Sequence, residues 1–440
     1  MITRPVIAIQ AISGKPSAQA LAQLDRRWRL RYLMLAPHRL GFFFAMVVLV
    51  AASAWWALVQ LDRATGWLGL SYALPASLVH AAVMVFGFMP LFFSGFMFTA
   101  GPKWLHVEPH PTSRLLVPLL LQMLGWLLWL AGGHVHAVLA LVGGAMAALG
   151  LWAVTALFWH LLLRSQAPDQ VHARAMGVAC LVGCLALAGA LWGVALDAPA
   201  VARACVLSGL WGCVVVVFVA VAHRMIPFFS SSAMPLTTHW QPVWVLWWML
   251  GAAVLEAAAV WVEFEGPLQG PVAPWWMLVR GALELAAALV LLWLAVVWDL
   301  GQSRKNRQLV MLHMGFVWLG LALLLAGVSQ LLGLLQGAPV MGLGALHALT
   351  MGCLASLMLA MVTRISCAHS GRAVLADRIA WPLLWLLQGA VLLRIAAAWP
   401  SALSTALLLV VALLWLALVG AWGLRLGPWY GRVRADGRPG

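Results

Sequence analysis

Charge is what this sequence has least of. Only 9% of its 440 residues are Asp, Glu, Lys or Arg, against ~25% in soluble domains. The chain is 64% hydrophobic, with a mean hydropathy of +0.98. A soluble globular fold is excluded, and a polytopic all-α membrane protein remains. Acidic residues are scarcest: 12 Asp and Glu against 26 Lys and Arg, a net charge of +14. No apolar stretch precedes the first basic residues (Arg4, Lys15, Arg26, Arg27, Arg29, Arg31 and Arg39), so no cleavable signal peptide is expected. The segment from Ala18 to Leu35 reads either as an amphipathic surface helix or as a solvated basic tail. Cysteine is sparse too. Five of the six (Cys180, Cys184, Cys205, Cys213 and Cys353, but not Cys367) fall inside apolar runs, which argues against a disulfide framework. Cys180 and Cys184, at i and i+4, read as packing residues, with a soft-metal pair as the alternative. No Cys-x-x-Cys-His is present, so covalent c-type haem is excluded.

What is present is apolar sequence in long blocks. Runs long enough to cross a ~30 Å hydrocarbon layer fall at roughly 41–61, 74–100, 115–131, 136–163, 174–196, 201–225, 242–262, 275–299, 308–335, 339–364, 380–397 and 401–426. Twelve spans place both termini on one side. With that side cytoplasmic, 22 of the 26 Lys and Arg lie on it. Arg63 and Arg203 lie outside, and Arg280 and Arg394 lie within spans. This is the positive-inside pattern, and it accounts for the basic charge without nucleic acid. The organisation is therefore a basic cytoplasmic tail (1–40), a twelve-span domain (41–426) and a second basic cytoplasmic tail (427–440), with no clear internal repeat. Membrane lipid is the surrounding partner.

Histidines sort by depth in this topology. His347 and His369 flank one greasy stretch, "HALTMGCLASLMLAMVTRISCAH", about 30 Å apart by helical rise, so they belong to different sites. His80 in span 2 and His347 in span 10 both lie roughly 10 Å below the outer surface. Ionisable groups inside spans usually face the bundle interior. Two imidazoles at one depth on different helices suit a bis-His haem b. The alternative is a pair of hydrogen-bonded packing residues. Arg280, Glu284, Glu256 and Arg394 also lie within spans toward the outside. Arg280 and Glu284, at i and i+4, read as an ion pair, or Arg280 and Arg394 hold haem propionates. Glu256 and Glu284 are candidate proton carriers, though spacing does not require it.

The inner tier holds His160, His223 and His313, with His38 and His369 flanking it. His223 sits in "HRMIPFF" and His313 in "LHMGFVWLG". His223, His313 and His369 form a candidate inner haem or metal site. Copper would suit such imidazoles, with Met225 and Met314 adjacent. Arg364 and Arg372 read as positive-inside charges unless they hold a propionate. The 27 Trp suit interfacial belts and packing.

Four blocks, "VHAAVMVFGF…SGFMFTAGPKW", "HRMIPFF", "LHMGFVWLG" and "LHALTMGCLASLMLAMVTRISCAHSGR", resemble the NnrS family in order and spacing along nearly the whole chain. That family comprises bacterial twelve-span inner-membrane proteins associated with the nitric oxide response and described as containing haem and copper. The resemblance implies haem b, copper as a second metal, nitric oxide as ligand, and an electron donor it does not identify. The family usually shows His-Ala-His-Glu-Met in span 2. Here the register reads His80-Ala81-Ala82-Val83-Met84, so any ligand or proton group from the second His and the Glu is missing.

Haem–copper oxidase main subunits offer an architectural analogy. They too have twelve spans, with a low-spin haem held by histidines of spans 2 and 10. Span 7 here has no histidine pair for copper, which argues against an oxygen reductase. The reading that emerges is a haem protein acting in nitrosative stress by binding or redox chemistry, whether or not it turns over as an oxidoreductase. The alternatives are a transporter of a metal, haem or small molecule, for which no matched pair of broken helices is seen, and an assembly or protective protein.

Overall fold

The structure, a computed structural model, describes residues 27–233, 240–266, 268–298, 306–337, 340–373 and 378–437. The basic residues Arg4, Lys15, Arg26, Arg304, Lys305 and Arg438 lie outside the described residues, as does most of the segment from Ala18. Its last turn, Leu30–Leu35, is a short 3₁₀ helix.

Twelve apolar helices follow, one for each expected span. They are α1 (Pro37–Thr65), α2 (Ala76–Leu105), α3 (Ser113–Val135), α4 (Ala137–Arg164), α5 (Val171–Ala195), α6 (Pro199–Ser230), α7 (Val243–Val262), α8 (Val272–Val297), α9 (Arg307–Gln336), α10 (Gly344–His369), α11 (Ala380–Ala396) and α12 (Ser404–Tyr430). Eleven are long and apolar enough to cross a membrane, and α11 is a shorter apolar helix. No strand occurs among the described residues. Within hydrocarbon only a helix satisfies its own backbone, so apolar length dictates the element.

Ends follow the local sequence. Pro37 opens α1, where its missing N–H costs nothing, and Gly66 closes it in the left-handed region (φ 69°) with its N–H on the Asp62 carbonyl. The Asn306 side chain accepts from the Gln308 N–H to cap α9. First and last helices pack together. The first turn of α1 and the chain leading into it are tied to the end of α12, by Arg39 on the Arg432 carbonyl and by Arg29 N–H on the Gly431 carbonyl at 2.8 Å.

Small residues set the close crossings, as expected where lipid tails compete with apolar side chains. A Cβ on Gly41 of α1 would lie 2.8 Å from the Cα of Gly95 on α2. At the α8–α9 crossing a Cβ on Gly327 would lie 2.9 Å from the Gly281 carbonyl oxygen.

Burial ranks the helices. The apolar window of α2 is 83% buried and those of α6 and α10 are each 67% buried, against 33% for α7 and α12. These three central helices share a second feature. Each contains a π-helical stretch: Val83–Gly87 in α2, Leu210–Val215 in α6 and Ala348–Ala355 in α10. Together with Phe42 of α1 and Leu312 of α9, they wall an apolar cavity of about 60 Å³.

Candidate functional site

The outer tier is built from α1, α2, α10 and α11. His80 stands on α2 three residues before its π stretch, and His347 on α10 immediately before its own. A π stretch widens the helix by an inserted residue and re-aims whatever flanks it. His80 is half-buried and stacks face to face on Trp56, with ring centroids 3.9 Å apart at 18°. The Arg63 guanidinium covers the same indole at 5.4 Å. His80 Nδ1 is buried and has no hydrogen-bond partner. His347 Nδ1 faces its own helix's Leu343 carbonyl at 2.9 Å. A carbonyl only accepts, so Nδ1 carries the proton and Nε2 keeps its lone pair. His80 lies within electrostatic reach of both His347 and Arg394, and His347 within reach of Arg394. Arg394 of α11 has no ion-pair partner among the described residues. Nearby, His134 is fixed as a tautomer: Nδ1–H donates to the Ser71 carbonyl and Nε2 accepts from Trp55, both at 2.7 Å.

Arg280 points elsewhere. Its guanidinium donates to Glu284 of α8 (2.8 Å), Glu256 of α7 (2.7 Å) and Glu263 just beyond α7 (2.6 Å). The i,i+4 pair with Glu284 is present, but the two further carboxylates come from the neighbouring helix and its end. All three nitrogens already face carboxylates, so a propionate would have to compete with them.

At the opposite end the imidazoles pair. His38 and His369 face each other with centroids 4.3 Å apart. His110 and His160 stack at 5.1 Å, with His110 Nε2 at 3.3 Å from His160 Nδ1. Burial lowers the basicity of His110, in the loop before α3, and neighbouring His160, Arg114 and Arg164 add to the effect. His172 and His223 stack at 5.1 Å. His223 Nε2–H donates to the Pro242 carbonyl at 3.1 Å, so its Nδ1 accepts, with His172 Nε2 at 2.9 Å and Gln241 Nε2 at 3.2 Å both placed to donate. The other nitrogen of His172, Nδ1, is buried without a partner.

His223, His313 and His369 are not gathered into one site. His369 pairs with His38 and His223 with His172. His313 is fully buried, with Nδ1 3.0 Å from the Leu309 carbonyl and Nε2 2.6 Å from the Trp298 carbonyl. Neither of its nitrogens faces open space. The Trp298 ring lies 6.1 Å from His223, so this residue separates His223 from His313. Arg372 donates to the Ser370 carbonyl and covers Trp429 at 4.3 Å. Burial lowers its pKa from the ordinary guanidinium value. Among the described residues no three His, Cys, Asp or Glu side chains are arranged to hold a metal ion. All six cysteines are buried, and none is joined in a disulfide.

His172 and His110 escaped the depth ranking. His172 sits just ahead of the expected start of span 5, and the same ranking applied to helix ends would have placed it with His223. His110 lies in a loop, and nothing in its sequence neighbourhood signals that it meets His160.

A twelve-helix membrane protein with imidazoles at two depths, one tier beside an unpaired arginine, defines the class. Within that class, the family model described as NnrS protein matches residues 32–434. The chain belongs to the NnrS family. No curated protein matches it.

Proposed function

We propose that this protein is a haem-binding protein of the bacterial inner membrane, with both termini cytoplasmic, that acts in the nitric oxide response through its outer histidine tier. The observation that carries the reading is the hydrogen-bond state of His80 and His347, which stand on neighbouring elements of one tier. One presents an orphaned buried ring nitrogen, and the other has its Nδ1 proton tied to Leu343 so that Nε2 is free to ligate. A ligating histidine normally donates its second nitrogen to a carbonyl or carboxylate, as His347 does. Haem held by both imidazoles would supply one-electron transfer there, and it would bind nitric oxide only if one of the two did not ligate it.

The chain's own residues do the rest. Trp56 holds the plane of the His80 ring by stacking. Arg394 supplies a positive charge beside both imidazoles, suited to a propionate. The cavity between α2, α6 and α10 has walls of Phe, Met and aliphatic side chains, such as Phe92, Phe218, Met225 and Met358. Such apolar walls suit small apolar molecules, nitric oxide among them.

Copper fits less well. The described residues offer no three-donor group, and Ala82 and Val83 hold no ligand. No step is assigned to copper.

The test is the reduced-minus-oxidised absorbance spectrum of purified wild type beside His80→Ala and His347→Ala. A b-type band in wild type that either substitution removes is the expected result. A band surviving both puts any haem in the inner tier. A well-folded wild type without a band overturns the haem reading and brings transport forward.

A further inference from the structure

The cluster around Arg280 carries more acid than its one cation can balance. Glu284 is fully buried, Glu256 is 3% exposed, and the Arg280 side chain is 12% exposed. Each carboxylate spends one oxygen on the guanidinium. The remaining oxygens, Glu256 Oε1 and Glu284 Oε2, are buried and receive no hydrogen bond from any donor among the described residues. The two carboxyl groups nevertheless meet at neighbouring nitrogens, Nη2 and Nε, of the one guanidinium. Two ionised carboxylates cannot satisfy each other, because both only accept. Like charges sharing a dry site cannot both stay ionised either. One proton resolves both problems: it neutralises one acid and makes that acid a donor to the other.

An independent observation links this pair to the outer surface. Glu263 and Gln330 of α9 line a cavity of about 30 Å³, room for a water molecule. Gln330 is 5% exposed, and its Oε1 is buried with no partner. The close α8–α9 crossing at Gly281 and Gly327 sets Gln330 there, its Cβ 3.1 Å from where a Gly281 Cβ would stand. Glu263, partly exposed at the end of α7, reaches Arg280 and also accepts from Trp276 at 2.8 Å. From Glu263 the carboxylates step inward: Glu256 is two helical turns deeper on α7, and Glu284 is a turn beyond Arg280 on α8.

We propose that Glu256 and Glu284 share a single exchangeable proton, so that the Arg280 cluster is a buried proton-binding site opening to the outer face through Glu263 and Gln330. The charged groups facing it are Arg280, Glu256, Glu263 and Glu284, and α9 contributes the neutral Gln330. Loading transfers a proton from a hydronium ion in the outer water to one carboxylate oxygen and leaves water behind. Unloading reverses this. With one proton bound, the deep part of the site is neutral, since one guanidinium faces one carboxylate and one acid. The site is separate from the histidine tiers and does not depend on haem.

Infrared spectroscopy of the full-length protein in lipid nanodiscs tests this directly, since only 12 Asp and Glu contribute carboxyl bands. Wild type at pH 7 in sodium-free buffer is expected to show a protonated-carboxyl C=O band that shifts in D2O. That pH lies well above the ordinary Glu pKa of about 4.3. Glu256→Gln and Glu284→Gln should each abolish or displace the band, and Glu265→Gln at the exposed loop should leave it unchanged. The amide side chain mimics the neutral acid in shape. Should one variant fail to fold, the wild-type band and its pH titration still decide. Absence of the band at pH 7, or a band indifferent to both substitutions, overturns the proposal. A band that sodium chloride removes at constant pH makes this a cation site and also overturns it.

Discussion

Arg280 is held by three carboxylates from two helices and a loop, and two of these acids are almost wholly buried. Removing the guanidinium leaves acids with no cation in a dry site, whereas replacing Glu284 with its amide keeps shape and one hydrogen bond. Arg280→Gln is therefore expected to cost about 3–5 kcal/mol, the usual cost of breaking a buried pair from one side, and Glu284→Gln much less. Thermal unfolding in detergent, wild type beside both variants, checks the order. Equal losses would mean that Arg280 packs rather than compensates charge. Part of this site is legible in sequence: spacing alone gives Arg280 with Glu284 at i,i+4. Glu256 and Glu263 are not legible as its partners, because helical period says which residues share a face and nothing about which neighbour that face meets. His313 teaches the same point. Its depth matches that of a ligand, but its environment consists of the two carbonyls that occupy both nitrogens.

At the scale of elements, α2, α6 and α10 differ from the other nine helices in being deeply buried and in carrying π stretches. The stretches in α2 and α10 begin just past His80 and His347. An inserted residue turns the outer end of the helix by roughly 100° relative to the inner end, given 3.6 residues per turn. The insertion thus lets one helix aim its histidine at the outer tier while Phe92 or Met358 lines the inner cavity. Deleting Met84 from the α2 stretch should restore a regular helix and swing His80 off its Trp56 stack. The expected result is a protein that still inserts and purifies but has lost its b-type band. A retained band would show that the π stretch does not position His80. Hydropathy gives no sign of these stretches. Hydropathy counts apolar residues, and a π turn made of Val83 to Gly87 is as apolar as the α-helix around it.

For the whole molecule, composition and hydropathy suffice to place twelve helices, because in lipid an apolar run of sufficient length has only one way to satisfy its backbone. What they do not place is the ring closure of α1 against α12 or the choice of α2, α6 and α10 as the centre, since these depend on side-chain contacts between distant segments. Orientation rests on charge alone. The helix ends that carry Lys103, Arg114, Arg164 and Arg174 are the ones expected in the cytoplasm, and these ends also carry the His110–His160 and His172–His223 pairs. The side of the membrane therefore fixes which histidine tier meets the cytoplasm and from which side the Glu263 cavity fills. The native thiols suit a labelling test, because all six cysteines are buried. Single cysteines at exposed Ser401, between α11 and α12, and exposed Gln166, between α4 and α5, sample opposite faces. In intact cells a membrane-impermeant maleimide should label Ser401→Cys, and it should reach Gln166→Cys only after permeabilisation. The reverse pattern would invert the protein, open the Arg280 cluster to the cytoplasm and put the His80 and His347 tier on the inner side. Labelling of both sites in intact cells would break the alternation of twelve spans.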